Sequence, residues 1–307
     1  MNTAIWIALA VPMIVSVAPI TQGRGHKIDE KQLARYVSKR GLPLPPALRQ
    51  PVLDRIGRQE RSALTWTLIL FALGVGAALI VELATGFNGF SGLLVLLPPA
   101  FGAGLGTYLG VRRTRGHLVA DAPRVARSQA IEVSDYTTRA EDLAVKLALV
   151  TVLVAAAAAL VVWLLVPVKP SGGAWVPAIL VGVTAILVGL WALARKAERD
   201  LIDRPQHAHT ELELAWDDAT RTDAIRALRD NSVMLSLISV LGLLVVAGTW
   251  VIEPQVRAAG MDLTLALGLV AFGVGVACWI ALIVPWATGR SRRNPALGLW
   301  IGKFGVA

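Results

Sequence analysis

Three groups of residues in this chain have types and spacings that chemistry could use. The first is Asp-x-x-x-Arg-x-(Asp/Glu), which occurs as Asp54/Arg58/Glu60, as Asp135/Arg139/Glu141 and as Asp217/Arg221/Asp223. Asp and Arg four apart share a helix face and can pair. The leading Asp stands where an N-cap would start a helix. The element therefore reads as a capped, salt-bridged helix start, with a docking surface shown three times to one cytoplasmic partner as the functional alternative. The second group is the tandem Pro98-Pro99 inside an apolar stretch. Two prolines remove two helix donors and free the matching carbonyls, which predicts a kink or a short unwound segment, either as packing geometry or as a pivot lining a solute path. The third is His207-x-His209 beside Glu211 and Glu213. It lacks a Cys partner and a defined metal-site spacing, so it reads as a solvated polar loop.

Other catalytic patterns are incomplete or absent in the sequence. Gly89-Phe90-Ser91-Gly92 presents a serine among glycines, but a serine nucleophile needs a base within reach. The four histidines, His26, His117, His207 and His209, all fall in the polar connections, far from that serine. No His-Glu-x-x-His, Walker A loop, dinucleotide fingerprint or Cys-x-x-Cys is present. The lone Cys278 sits in an apolar block and reads as a small buried residue. No catalytic, cofactor or metal residue is assigned, and the expectation is that the chain is not an enzyme.

The elements that must position these residues are apolar blocks. Of 307 residues, 55% are hydrophobic and 17% charged, with a mean hydropathy of +0.61. A soluble domain carries roughly 25% charge, so a soluble globular enzyme is excluded. Seven blocks, at about 3–20, 64–84, 90–111, 147–167, 175–194, 232–252 and 263–287, are close to the roughly 20 residues that cross a bilayer as a helix. The first lacks a basic leader and reads as a retained span, not a cleaved signal. Glycines such as Gly102, Gly104 and Gly106 suit close helix packing. Glu82 and Lys146 stand at block edges, as interfacial residues would. The predicted fold is an all-α polytopic membrane bundle of seven transmembrane helices.

Charge placement orients it. Segments 21–63, 112–146, 195–231 and the tail 288–307 hold 28 of the 30 Lys and Arg; the connections on the other side hold two. Basic residues favour the cytoplasmic side, so the N-terminus is predicted outside and the C-terminus inside a cell membrane. The net charge of +9 then faces anionic lipid, which makes the bilayer the expected partner and nucleic acid not one. Tryptophans near block ends, including Trp66, Trp163 and Trp191, fit the interface.

The three inner segments resemble one another. Asp121, Pro123, Asp135, Thr138 and Arg139 recur 82 positions later as Asp203, Pro205, Asp217, Thr220 and Arg221. That self-similarity predicts parallel helix-loop-helix repeats. Within the loops, Leu33, Tyr36 and Val37 have helical spacing with Gly41 as a stop. Pro43, Pro45, Pro46 and Pro51 should break any long helix, and the alternation over 210–216 suggests a short strand or a membrane-surface strip. Each loop is too short for a domain of its own. The functional expectation is a non-catalytic membrane component: the permease-like partner of a separately encoded cytoplasmic ATPase, or a scaffold or regulatory subunit of another membrane protein. The alternative is a transporter or channel for a small or lipophilic solute that uses the kinked third span, and an intramembrane enzyme ranks last.

Overall fold

The computed structural model describes residues 30–85, 91–113, 131–165, 176–204, 208, 210–246 and 299–300. Its regular elements are all helical: α1 (Glu30–Arg40), α2 (Pro46–Thr85), α3 (Ser91–Arg113), a one-turn 3-10 helix (Val133–Asp135), α4 (Arg139–Leu165), α5 (Val176–Ile202) and α6 (Glu211–Val246). The expected spans at 3–20 and 263–287 lie outside the described residues, as do all four histidines, Cys278 and the side chain of Glu82.

Three helical stretches, Pro46–Ile80, Arg139–Val161 and Leu180–Ile202, are long and apolar enough to cross a membrane. At about 1.5 Å per residue, the 40-residue α2 is about 60 Å long, twice a hydrocarbon core of about 30 Å. That length exceeds the core thickness by about the polar first half of the helix, and the 36-residue α6 is about 54 Å long.

Local chemistry explains where the helices start and stop. Gly41 ends α1 at φ 62°, the left-handed conformation that only glycine takes without strain, and its N–H closes the last turn on Val37 O at 3.0 Å. Pro43 and Pro45 separate α1 from α2. The expected break at the rest of that proline cluster does not occur. Pro46 takes the first helical position, where its missing N–H costs nothing; Pro51 lies in the helix, so the loss is confined to the donor for the Ala47 carbonyl. The 210–216 segment is likewise not a strand. Thr210 Oγ accepts the Glu213 N–H at 3.1 Å, and this cap, with Glu211 and Glu213 in the positive first turn, sets a helix in place of the alternating pattern. Pro98 and Pro99 do not unwind α3, which runs as helix from Ser91 to Arg113. The carbonyls of Leu94 and Val95 lose their helical donors there, and Val95 and Pro99 are buried against neighbours.

Glycine sets the closest packing. A Cβ on Gly102 would stand 2.6 Å from the Trp66 carbonyl oxygen, one on Gly106 2.5 Å from Ala63 Cα, and one on Gly110 2.8 Å from Gln59 Cα. The contact positions fall on α2 as they rise on α3, so the two helices form an antiparallel hairpin touching backbone to backbone. On the other side of α3, a Cβ on Gly104 would meet Asn231 Nδ2 of α6 at 2.5 Å. Helix α6 is central, packing against α3, α4 and α5. Its small residues Ser232, Ser236 and Ser239 are buried, each hydroxyl bonded to the carbonyl four residues back.

Candidate functional site

The charged ends of these helices converge at one end of the bundle. Tyr108 Oη of α3 donates to Asp200 Oδ2 of α5 at 3.3 Å, Arg55 of α2 pairs with Asp217 of α6 at 2.5 Å, and Arg195 and Glu198 of α5 meet Asp142 of α4 and Arg229 of α6. The loops, each too short to fold alone, thus pool their apolar residues. Leu42, Val52, Leu214, Trp216, Ala219 and Trp300 form one buried cluster, with Tyr36, Val37, Leu44 and Ile56 packed on it. This cap also carries the polar arrangement of the bundle, in three parts.

Its outer part joins α1 to α6. Tyr36 stacks on Trp216 at 6.2 Å, Arg40 lies over the Tyr36 ring at 4.5 Å, and both Tyr36 Oη, at 2.8 Å, and Arg40 donate to Asp223. Burial, reinforced by the Asp223 charge, pushes the Tyr36 phenol far above its ordinary value. Burial works against the Arg40 guanidinium, yet Asp223 and Tyr36 together hold it above its usual value. Tyr36 and Arg40 therefore each keep one protonation state through the physiological range and act as fixed donors that join α1 to α6.

The middle part is built on Arg221, which is 6% exposed. Its Nε donates to Asp217 Oδ2 at 2.9 Å. Its other nitrogens donate to the carbonyls of Leu201 at 2.9 Å, Ile202 at 3.3 Å and Arg204 at 3.0 Å. The carbonyls of Leu201 and Ile202 end α5, where helical partners run out and the dipole favours a cation, and that of Arg204 follows two residues beyond. Arg221 is thus the cap of a neighbouring helix. One turn back from Arg221, Asp218 is fully buried, accepting from Tyr136 Oη at 2.9 Å and from Trp300 Nε1 at 3.0 Å.

The inner part lies at the base of α4, α5 and α6. Arg229 and Glu198 are 3% and 2% exposed and face each other at 3.3 Å. Arg195 reaches Glu198 at 2.8 Å and stacks over Trp191 at 5.3 Å. Lys146 pairs with Asp142 at 2.6 Å and Arg226 with Glu141 at 2.8 Å.

The three Asp/Arg elements occupy three different settings. Asp54 is the ninth residue of α2, exposed, and accepts from Gln50 at 3.0 Å; Arg58 is exposed and Glu60 half-buried. Asp135 closes the 3-10 turn ahead of α4 by accepting the Glu132 N–H at 2.9 Å, and Arg139 is exposed. Asp217, Arg221 and Asp223 lie inside α6 and are all partnered. The shared spacing does not produce a shared local structure. The expected Asp N-caps are replaced by threonines: Thr210 for α6, and for α4 Thr138, whose Oγ accepts the Glu141 N–H at 3.2 Å while Glu141 Oε2 accepts the Thr138 N–H at 2.8 Å. A Thr-x-x-Glu box satisfies two free donors at once, which a lone Asp seven residues into a helix cannot do.

No family model, curated protein or solved structure matches the chain. Among the described residues no group of three His, Cys, Asp or Glu could hold a metal ion. Glu198, Arg229, Asp218, Tyr136 and Trp300 were not singled out in the sequence. The available signal was length: once α5 is extended past its apolar block to Ile202 and α6 begins at Glu211, Glu198 and Arg229 fall on helix faces turned toward neighbours.

Proposed function

We propose that the chain is a non-catalytic, multi-pass component of the cell membrane, with seven spans, its N-terminus outside, and the cap in the cytoplasm. The observation that carries this reading is the contrast between the two ends of the same helices. Leu73, Ile80 and Leu83 on α2, Val154 and Leu164 on α4, and Val181, Ile186 and Leu193 on α5 are all more than half exposed. Leaving such a side chain in water forgoes about 1.5–3 kcal/mol each, whereas lipid covers it at no such cost. The charged side chains gather at the other end. Reporter fusions at Asn88, Ser171 and Ala259 are expected outside, and fusions at Gln50, Gln129 and Gln206 inside. A fusion at Gln129 found outside would overturn the orientation.

Within that reading the cap is the part available to another subunit, such as a cytoplasmic ATPase. Arg221 is committed to the end of α5 and offers no surface, whereas Arg58 and Arg139 are exposed. Reversing both, as Arg58→Glu with Arg139→Glu, should release a bound subunit, because like charges at an interface cost several kcal/mol. The measurement is co-purification from native membrane, with size-exclusion in detergent to verify folding. A well-folded double variant that retains every co-purifying protein would remove docking through these arginines.

A further inference from the structure

We propose that the cap is a docking groove whose occupant is the chain's own segment Leu299–Trp300, latched through Trp300. The groove is lined by Leu42 from the α1–α2 connection, Val52 from the second turn of α2, and Leu214, Trp216 and Ala219 from the start of α6. Trp300 fills it and is 5% exposed, with Leu299 packed beside it. The indole supplies two things that a smaller apolar residue would not. Its ring contributes the area that joins α1–α2 to α6, and its N–H reaches Asp218 Oδ2 at 3.0 Å. Asp218 takes Tyr136 Oη on its other oxygen. One buried carboxylate therefore ties together the segment before α4, the start of α6 and the tail, whose tied residues lie 82 positions to either side of it. A buried carboxylate is tolerated only while donors surround it, so withdrawing the tail removes packing and a donor together. Three residues further along α6, Arg221 holds the end of α5, which places the tail one helical turn from the joint between α5 and α6. The latch needs only that Trp300 is seated, whichever side of the membrane the cap faces.

The test is hydrogen–deuterium exchange on the full chain and on a chain ending at Gly298, both in lipid nanodiscs. Truncation is expected to speed exchange over 212–224 at least tenfold and to leave 143–160 unchanged. A synthetic peptide of residues 294–307, added in trans, should restore protection, and the same peptide with its tryptophan replaced by alanine should not. Unchanged exchange over 212–224, equal faster exchange over 143–160, or equal protection by the two peptides would overturn the latch. Should the truncated chain fail to fold, Trp300→Phe and Trp300→Ala in the full chain decide the matter: Ala is expected to match the tenfold effect and Phe, which keeps a ring and loses the N–H, to fall between. An Ala variant that exchanges like the wild type would overturn the proposal.

Discussion

Replacing Gly106 by leucine is expected to abolish the folded bundle, and replacing it by alanine to destabilise it by about 1–3 kcal/mol, the usual range for overpacking a filled interior. The reason is geometric. At Gly102, Gly106 and Gly110 the backbone of α3 rests on the backbone of α2, and any Cβ there lies 2.8 Å or less from a main-chain atom. Main chain cannot swing aside as a long side chain can, so the helices must separate, and dispersion contacts along the whole hairpin weaken with them. On the proposed reading that the hairpin lies in lipid, no hydrophobic force restores the pair, because apolar side chains there are as well solvated apart as together. Gly76 in α2 and Gly182 in α5 supply the control. A Cβ on either meets nothing within 4 Å, so Gly76→Ala and Gly182→Ala should be neutral or stabilising by up to about 1 kcal/mol through helix propensity. Thermal unfolding in detergent, followed with monodispersity on size-exclusion, separates the two sets. A Gly106→Ala variant as stable as Gly76→Ala would refute the close crossing.

These glycines show how much the sequence carried. Among the described residues, the helical nature of the apolar blocks and the gathering of charged residues at one end were legible, because they depend on composition summed over some 20 positions and on charge counts. The small-residue spacing of Gly102 and Gly106 was visible as packing, though not which helix would lie against it. The helix stop at Gly41 was legible because a single residue with a left-handed preference decides it. Boundaries governed by competing local signals were not. Pro51 and the alternation of 210–216 read as interruptions, yet each lies near a helix start, where a missing donor is cheap and a threonine cap outweighs pattern.

The polar site was less legible for a different reason. Asp-x-x-x-Arg spacing fixes which side chains share a helix face, and it placed Asp217 beside Arg221 correctly. It contains nothing about the partner helix. Arg221 spends its remaining donors on the end of α5, and Arg58, at the same spacing from its own aspartate, is exposed. The same holds for Glu198 and Arg229, 31 positions apart, which become a pair only when α5 and α6 pack.

That pair provides the second large effect. Glu198→Leu is expected to destabilise the bundle by about 3–5 kcal/mol, the cost of breaking a buried ion pair from one side. The loss falls on the arginines left behind. Glu198 is 2% exposed and serves both Arg195 at 2.8 Å and Arg229 at 3.3 Å. Without it the two guanidinium groups share Asp142 alone, at 3.8 Å and 3.5 Å, and Asp142 already holds Lys146. Arg229→Met should cost less, because Glu198 keeps Arg195 as a counter-ion. The double variant Glu198→Leu with Arg229→Met should recover much of the stability lost by Glu198→Leu alone, since an apolar pair of similar volume carries no desolvation penalty. The double-mutant cycle reads this as a coupling of roughly 0.5–3 kcal/mol between contacting residues. Because the pair is shielded from solvent, the coupling should persist at 0.5 M salt, where an exposed pair such as Lys146–Asp142 would be screened. Additive losses in the cycle, or a coupling that vanishes with salt, would mean that Glu198 and Arg229 face water and that α5 and α6 do not meet through them.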